Sequence, residues 1–157
     1  METMVPPVRL YDGYTYWVVR MARLMRQTMA ERLTVHDLNE RILGLLMSVG
    51  GSNLTTPSAI ANYMAVDRAI VARTLREMQA RDLVELQANI HDGRSREIVL
   101  TAQGRALLDI GIQCAHENNM YFSSLMPGGM AGDIRLHYRS IVEAQQDTPK
   151  GQPLLKR

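Results

Sequence analysis

The sequence predicts a mainly α-helical fold with one small β-hairpin, in which a helix-turn-helix precedes the hairpin. Apolar residues recur at helical spacing over most of the chain. Two short helical segments are separated by a tight turn at Ala65-Val66. Two short segments rich in Val, Ile and Leu follow, joined through the turn dipeptide Asp92-Gly93. The predicted order is therefore four helices, two strands and two further helices.

The first two predicted helices precede the turn motif. An apolar stripe that steps by three and four residues predicts a long first helix, at positions Leu10, Tyr14, Trp17, Met21, Leu24 and Thr28. Asp37-x-x-Glu40 predicts a capping box, in which the Asp carboxylate accepts a backbone N–H and the Glu side chain reaches back. We expect this box to open a second helix that ends at Gly50-Gly51.

The two helices of the turn motif have recognisable start signals. Thr56-Pro57 predicts an N-cap followed by proline at the first helical position, where its missing N–H costs nothing. Asp67 is predicted to cap a helix that runs to about Arg81. Strands are expected at residues 83–87 and 96–100.

The remaining elements are helical. Thr101 is predicted to cap a long helix, which breaks at Pro127-Gly128-Gly129, and a last helix begins near Met130. At 157 residues and 46% apolar content the chain has the length and composition of one globular domain. A flexible tail is expected at residues 147–157.

Composition limits the functional classes. No apolar run reaches the length of a membrane span, and residues 1–7 lack the pattern of a signal peptide. The single cysteine, Cys114, excludes an internal disulfide and fits a reducing cytoplasm. Of the 18 basic residues only Lys150 and Lys156 are lysines. Arginine suits phosphates and guanine edges, but a GC-rich genome explains this bias equally well.

The helix predicted at 67–81 has two opposite faces. On a helical wheel its apolar arc contains Ile70, Val71, Thr74, Leu75 and Met78. The opposite arc contains Arg68, Arg73 and Arg76, with the small residues Ala69 and Ala72 between them. An isolated helix of this kind is more often an amphipathic helix with a solvated Arg face. As the second helix of a helix-turn-helix, it is instead predicted to enter the DNA major groove.

The predicted hairpin tip carries His91-Asp92-Gly93-Arg94-Ser95-Arg96. A charged tip is usually a solvated loop, but this one directly follows the predicted DNA-reading helix. Arg94 is predicted to enter the minor groove, and Asp92 to hold Arg94 by a carboxylate–guanidinium pair. Gly93 is predicted to serve the turn.

Asp92-x-Arg94-x-x-x-Ile98-x-Leu100-Thr101-x-x-Gly104 resembles the wing signature of the MarR family of bacterial regulators. Thr56-Pro57-Ser58-x-x-Ala61 and Arg73-x-x-x-x-Met78-x-x-x-x-Leu83-Val84 are similar to that family's helix-turn-helix and exit strand. The chain departs from the pattern in three places: Asp82 replaces the usual Gly, Ala72 a common Ser or Thr, and Leu86 a frequent basic residue.

The resemblance implies a winged helix-turn-helix fold and a homodimer that binds double-stranded DNA at a near-palindromic operator, most often as a repressor. It further implies one MarR-like domain over residues 1–157, with a DNA-binding part expected at about 36–104 and a dimerisation part at about 8–33 and 105–146. The residues expected to contact DNA are Ser58, Arg68, Arg73, Arg76, Arg94, Ser95 and Arg96.

The resemblance also implies release by a small aromatic or phenolic ligand. Tyr14, Trp17, Arg20 and Met21 could line its cavity, with Arg20 holding a carboxylate, although dimer core and a solvated arginine explain the same residues. Cys114 is expected to be inert core. No metal site, cofactor site or enzyme motif is predicted. The open alternative is a winged-helix module for protein–protein contact, which is expected to expose apolar anchors where this chain has arginines.

Overall fold

The computed structural model describes residues 12–88, 96–128 and 130–146, and its elements follow the predicted order. The chain divides into two compact units, Met1–Asn118 and Asn119–Arg157. The helices are α1 (Tyr14–Thr34), α2 (Glu40–Gly50), α3 (Pro57–Met64), α4 (Arg68–Ala80), α5 (Ala102–Ser124) and α6 (Met130–Gln146); the strands are β1 (Val84–Ala88) and β2 (Arg96–Leu100). The predicted fold class is confirmed. No helix among these residues is both long enough and apolar enough to span a bilayer.

The hairpin is a two-stranded antiparallel sheet. Val84 lies opposite Leu100, and Ala88 lies opposite Arg96. The backbone N–H of Ile98 also donates to the carbonyl of Thr55 at 2.9 Å, so the segment before α3 is fixed to the outer edge of β2. Both strands are confirmed, and β1 begins and ends one residue later than predicted.

The core of the first unit lies beneath the helix-turn-helix. It is built mainly from apolar faces of α2, α3, α4 and the hairpin, and α1 and α5 add Leu33, Leu108 and Cys114. Burial of these side chains is the main contribution to stability, at roughly 1.5–3 kcal/mol for each large apolar side chain. The largest completely buried side chains include Leu33, Ile42, Leu45, Leu46, Ile60, Val71, Met78, Leu83 and Ile98.

The start of α5 is held closely against the beginning of the hairpin. Thr101 caps α5 as predicted, since its Oγ1 accepts from the N–H of Gly104 at 3.0 Å and donates to the carbonyl of Asp82 at 2.6 Å. A Cβ on Gly104 would lie 2.0 Å from the carbonyl oxygen of Leu83. The glycine of the wing signature is therefore required by backbone contact rather than by DNA.

The predicted capping box at the start of α2 is wrong. The N-cap is Asn39, whose Oδ1 accepts from the N–H of Ile42 at 3.0 Å. Asp37 lies two residues earlier with a left-handed φ of 55°, because the turn after α1 is closed by the N–H of Leu38 donating to Leu33. Glu40 pairs with Arg26 of α1 at 2.9 Å instead.

A buried polar contact joins α1 to α5. Asn118 is only 5% exposed; its Oδ1 accepts from the Thr28 hydroxyl at 2.7 Å and its Nδ2 donates to the Met25 carbonyl at 3.1 Å. Both ends of the amide are thus paired, as burial requires. Cys114, four residues earlier on α5, is a buried free thiol, in agreement with its predicted core position.

Candidate nucleic-acid interface

The helix-turn-helix is built by caps and by a single left-handed residue. Thr56 accepts from the N–H of Ala59 at 3.3 Å, with Pro57 in the first turn of α3. Ala65 ends α3 with a φ of 52°. Asp67 then accepts from the N–H of Ala69 at 2.6 Å and starts α4. Both predicted caps are confirmed, and together they fix where α4 begins.

The core fixes the orientation of α4. Val71 and Met78 are completely buried, and Leu75 is nearly so. Thr74 is also buried, and its hydroxyl donates to the carbonyl of Ile70 within the same helix at 2.9 Å, so no polar atom is left unpaired. The predicted apolar arc is therefore the packed face, and the opposite arc faces solvent.

The exposed face of α4 carries Arg68, Arg73 and Arg76, which we call the reading arginines. Ala69 and Ala72 are exposed between them. Within the part of the chain that the structure describes, none of the three guanidinium groups makes a hydrogen bond or an ion pair with another residue. By contrast Arg26, Arg32, Arg81 and Arg139 all pair with carboxylates.

An exposed row of arginines on one helix, with no partner among the described residues, suits an anionic ligand. The guanidinium forks can donate to phosphate oxygens or to the O6 and N7 atoms of guanine. The alanines keep the surface between them low, which allows close approach of a duplex. Because no described residue pairs with these three guanidinium groups, DNA binding would break no ion pair between them and the described part of the chain.

Two residues, Arg81 and Asp82, form the C-terminal end of α4. Asp82 has a φ of 54°, the left-handed conformation for which Gly is usual, and Asp is among the residues that tolerate it better. Arg81 closes the helix, and its Nη2 donates to the backbone carbonyl of Asp37 at 2.6 Å. The sequence analysis did not predict this contact of Arg81. The available signal was an arginine at the C-cap of α4, opposite in charge to Asp37.

The wing is described only in its strands. The predicted tip residues Asp92, Gly93, Arg94 and Ser95 lie outside the described residues. Arg96 opens β2 opposite Ala88. The predicted contact Ser58 lies at the second position of α3 and is half-buried.

The predicted effector residues lie on the first turns of α1. Tyr14 and Trp17 are 67% and 59% exposed, and Met21 is half-buried. Arg20 donates through Nη1 to the hydroxyl of Tyr16 at 2.9 Å, with its guanidinium above the same ring. These four residues do not line the groove described next.

A basic groove of about 720 Å³ runs between α1 and the start of α2. Its walls include apolar and small side chains, among them Val19, Ala22, Ala30 and Leu38. Its charged side chains are Arg23, Arg26, Glu40 and Arg41, of which only Arg26 and Glu40 are paired with each other. Three positive charges against one negative charge favour an anion.

The comparison with known proteins agrees with this geometry. Residues 35–95 match the family model described as "MarR family". The chain has the winged helix-turn-helix fold of the MarR family. The resemblance inferred from the sequence is thereby confirmed. No curated protein matches the chain by sequence.

Similar solved structures cover more than four fifths of the chain at low sequence identity. CouR from Rhodococcus jostii RHA1 bound to p-coumaroyl-CoA has a TM-score of 0.75 and 19% identity, covering 86% of this chain and 95% of CouR. A mutant MarR from E. coli complexed with operator DNA has a TM-score of 0.71 and 16% identity, covering 81% and 91%. A Mycobacterium tuberculosis MarR family protein in complex with salicylic acid has a TM-score of 0.67 and 18% identity, covering 82% and 96%.

Proposed function

We propose that this chain is a homodimeric, sequence-specific DNA-binding regulator of bacterial transcription that acts as a repressor in the cytoplasm. The observation that carries the proposal is the exposed face of α4, with three arginines that have no partner among the described residues. The similarity of fold to an E. coli MarR complexed with operator DNA supports it.

The proposed mechanism divides the contacts by role. The reading arginines enter the major groove, where Arg can distinguish guanine from the other bases. Arg94, Ser95 and Arg96 contact the backbone and minor groove from the wing, and Asp92 directs Arg94. Ser58 donates to a phosphate near the start of α3. Phosphate contacts set the register, and base contacts supply the sequence preference.

Dimerisation is proposed because apolar side chains of α6 lack cover within the described chain. Tyr138, Ile141 and Val142 are 43%, 55% and 54% exposed. With Ile134 they follow the i, i+4, i+7, i+8 spacing of one helical face. A second copy would bury such a stripe symmetrically and would present two reading helices to a near-palindromic site, with half-sites about one helical turn of DNA apart.

A small aromatic or phenolic anion is the proposed effector. Two observations support this class: the basic groove between α1 and α2, and the two similar structures that are bound to p-coumaroyl-CoA and to salicylic acid. Salicylate should raise the unfolding temperature of the protein, because a ligand of the native state stabilises that state. By this proposal it also binds the DNA-free conformation more tightly than the DNA-bound one, and therefore dissociates the protein from DNA. Benzyl alcohol, which lacks the charge, is the control; equal effects of the two would remove the anion requirement.

The test of the DNA-binding proposal is fluorescence anisotropy with the DNA upstream of the protein's own gene and with a scrambled duplex. We expect tighter binding to the upstream DNA, and a linear loss of log affinity with log salt, as counterion release requires. Absence of any binding at low salt would contradict the proposal. It would favour the alternative of a winged-helix module for protein contact.

A further inference from the structure

We propose that Arg81 is a positioning residue for DNA binding, which fixes the C-terminal end of α4 to the turn between α1 and α2. The inference rests on the proposed DNA-binding function. It concerns a residue outside the set of predicted DNA contacts, and it assigns to Arg81 no contact with DNA.

Arg81 follows the last residue of α4 and reaches across to a distant part of the chain. Its Nη2 donates to the backbone carbonyl of Asp37 at 2.6 Å and lies 3.0 Å from Oδ2 of the same residue. Its Nη1 lies 3.9 Å from Oε1 of Glu77, one turn back on α4. The guanidinium therefore connects the end of α4 with the α1–α2 turn, 44 residues earlier in the chain.

The turn between α1 and α2 that contains Asp37 is held by its own backbone hydrogen bonds. The N–H of Asp37 donates to the carbonyl of Thr34 at 3.1 Å, and the N–H of Leu38 donates to that of Leu33 at 3.1 Å. Leu33 and Leu38 are both buried. The Asp37 carbonyl thus has a defined direction, and a bond to it fixes the donor in space.

The backbone bond contributes more than the ion pair. The Asp37 side chain is 93% exposed, so solvent screens its attraction to Arg81. The Arg81 side chain is only 26% exposed, and its hydrogen bond to the carbonyl is charge-assisted and short. Arg81 therefore acts mainly through this hydrogen bond, which fixes the position of the helix end, and less through its ion pair with the Asp37 carboxylate.

The Arg81 hydrogen bond acts together with the N-cap and the buried face of α4 to hold this helix in place. Asp67 holds the start of α4, and Val71 and Met78 hold its buried face. Arg81 holds the other end, five residues after Arg76. A binding constellation keeps its specificity only when its groups stay within about 0.5 Å of the productive geometry. Loss of the Arg81 bond lets the end of α4 move, and the reading arginines move with it.

The competing role for Arg81 is direct contact with phosphate. The two roles differ in the response to lysine, which keeps the charge but cannot reproduce the planar fork of donors. The two roles also differ in the response of DNA binding to Asp37→Asn. This substitution retains the backbone carbonyl, and Asn tolerates a positive φ, but it removes the charge that neutralises Arg81. The matched control is Arg139→Gln, which removes an Arg–Glu pair of α6 and the same charge.

The experiment measures the affinity of each variant for upstream and scrambled DNA, the salt dependence, thermal stability, and hydrogen exchange of the free protein. For Arg81→Gln we expect upstream-DNA affinity to fall about tenfold, the scale of one charge-assisted hydrogen bond. Affinity for scrambled DNA should change by less than about twofold, because no phosphate contact is lost. Arg81→Lys should lose affinity similarly, and Asp37→Asn should lose less. The amides of Asp82 and Leu83, which donate to carbonyls near the end of α4, should exchange faster in Arg81→Gln.

Several outcomes would overturn the positioning role. Full retention of affinity in Arg81→Lys, with equal losses on both DNAs in Arg81→Gln and a salt slope reduced by about 0.9, identifies a phosphate contact. Unchanged exchange at Asp82 and Leu83 shows that the bond to Asp37 does not hold the end of α4. If the wild type and Arg139→Gln fail to prefer upstream DNA, the proposed function itself fails, and the positioning role fails with it. Wild-type-like binding by Arg81→Gln overturns only the role of Arg81.

Discussion

The helix-turn-helix and the last helix bury their apolar side chains to very different degrees. Ile60 of α3 and Val71 of α4 are completely buried, whereas Ile141 and Val142 of α6 are more than half exposed. The winged-helix part thus completes its core within one chain. The apolar stripe of α6 has no such cover among the described residues, and by our proposal a second copy supplies it. The two regions should therefore respond differently to substitution, one through folding and the other through association.

The largest effect is expected from Ile141→Asp on α6. In a symmetric dimer the substitution places a carboxylate at two apolar positions, and each lost side-chain burial costs roughly 1.5–3 kcal/mol. We expect the dimer dissociation constant to rise at least about a hundredfold, measured by sedimentation equilibrium. The fold of the winged-helix part, measured by far-UV circular dichroism, should be unchanged.

The matched control is Arg139→Asp, which introduces the same carboxylate on α6 outside the stripe. It replaces the exposed ion pair with Glu143 by two carboxylates one turn apart, at a cost of only a few tenths of a kcal/mol. It should leave the dimer intact. A wild-type protein that sediments as a monomer, or equal dissociation by both variants, would show that the exposed stripe is not the dimer interface.

Gly104→Ala should have the next largest effect, on folding rather than association. The added Cβ would meet the Leu83 carbonyl at 2.0 Å, and backbone at both sides limits relaxation. We expect a loss of about 3 kcal/mol in the free energy of unfolding, at the upper end of the usual cost of overpacking, measured by urea denaturation.

Gly132→Ala is the control for the glycine substitution. A Cβ at Gly132 on α6 meets no described atom within 4 Å, and alanine favours a helix by up to about 1 kcal/mol over glycine. The protein should therefore keep or slightly gain stability. If both substitutions destabilise to the same extent, the close contact at Leu83 does not explain the glycine of the wing signature.

Sequence periodicity was sufficient to predict which helices and strands form, but it predicted their first and last residues less well. The apolar arc of α4 was predictable because a helix that packs on one side must repeat its apolar residues every three or four positions. The caps at Thr56, Asp67 and Thr101 were predictable because short polar side chains there satisfy nearby N–H groups. These interactions join residues only a few positions apart, so they can be predicted from the local sequence.

Contacts between distant residues could not be predicted in this way. The pattern Asp37-x-x-Glu40 satisfies the capping rule, but the turn after α1 places Asp37 in a left-handed conformation and gives the cap to Asn39. The bond from Arg81 to Asp37 depends on the same turn. The fold was also needed to show that no described carboxylate pairs with the reading arginines, because this depends on which carboxylates the other elements bring near them.

Arg73→Ala should weaken binding to upstream DNA by about 1–3 kcal/mol, the scale of one good base contact. Arg73 is in the middle of the reading arginines and has no described partner, so its removal leaves no internal group unpaired. Fluorescence anisotropy provides the affinity, and urea denaturation should show unchanged stability. Arg139→Ala is the control; if it weakens binding as much, general charge rather than the α4 face attracts DNA.

Arg94→Ala should weaken DNA binding by a similar 1–3 kcal/mol if the wing tip enters the minor groove as the sequence predicts. The loss should be greater on an A·T-rich flank, whose narrow minor groove attracts arginine most strongly. Affinities for duplexes that differ only in the flank provide the measurement. Wild-type affinity in the variant would remove the wing tip from the mechanism.

The smallest effect is expected from Asp67, where the cap and the charge can be separated. Asp67→Ala removes the bond to the N–H of Ala69 and should cost about 1 kcal/mol of stability, seen as a lower urea midpoint. Asp67→Asn should retain stability, since Asn caps about as well as Asp. The same variant removes a negative charge beside Arg68 and should bind DNA slightly more tightly. If Asn destabilises the fold as much as Ala does, the charge at the start of α4, and not the hydrogen bond, holds the reading helix in place.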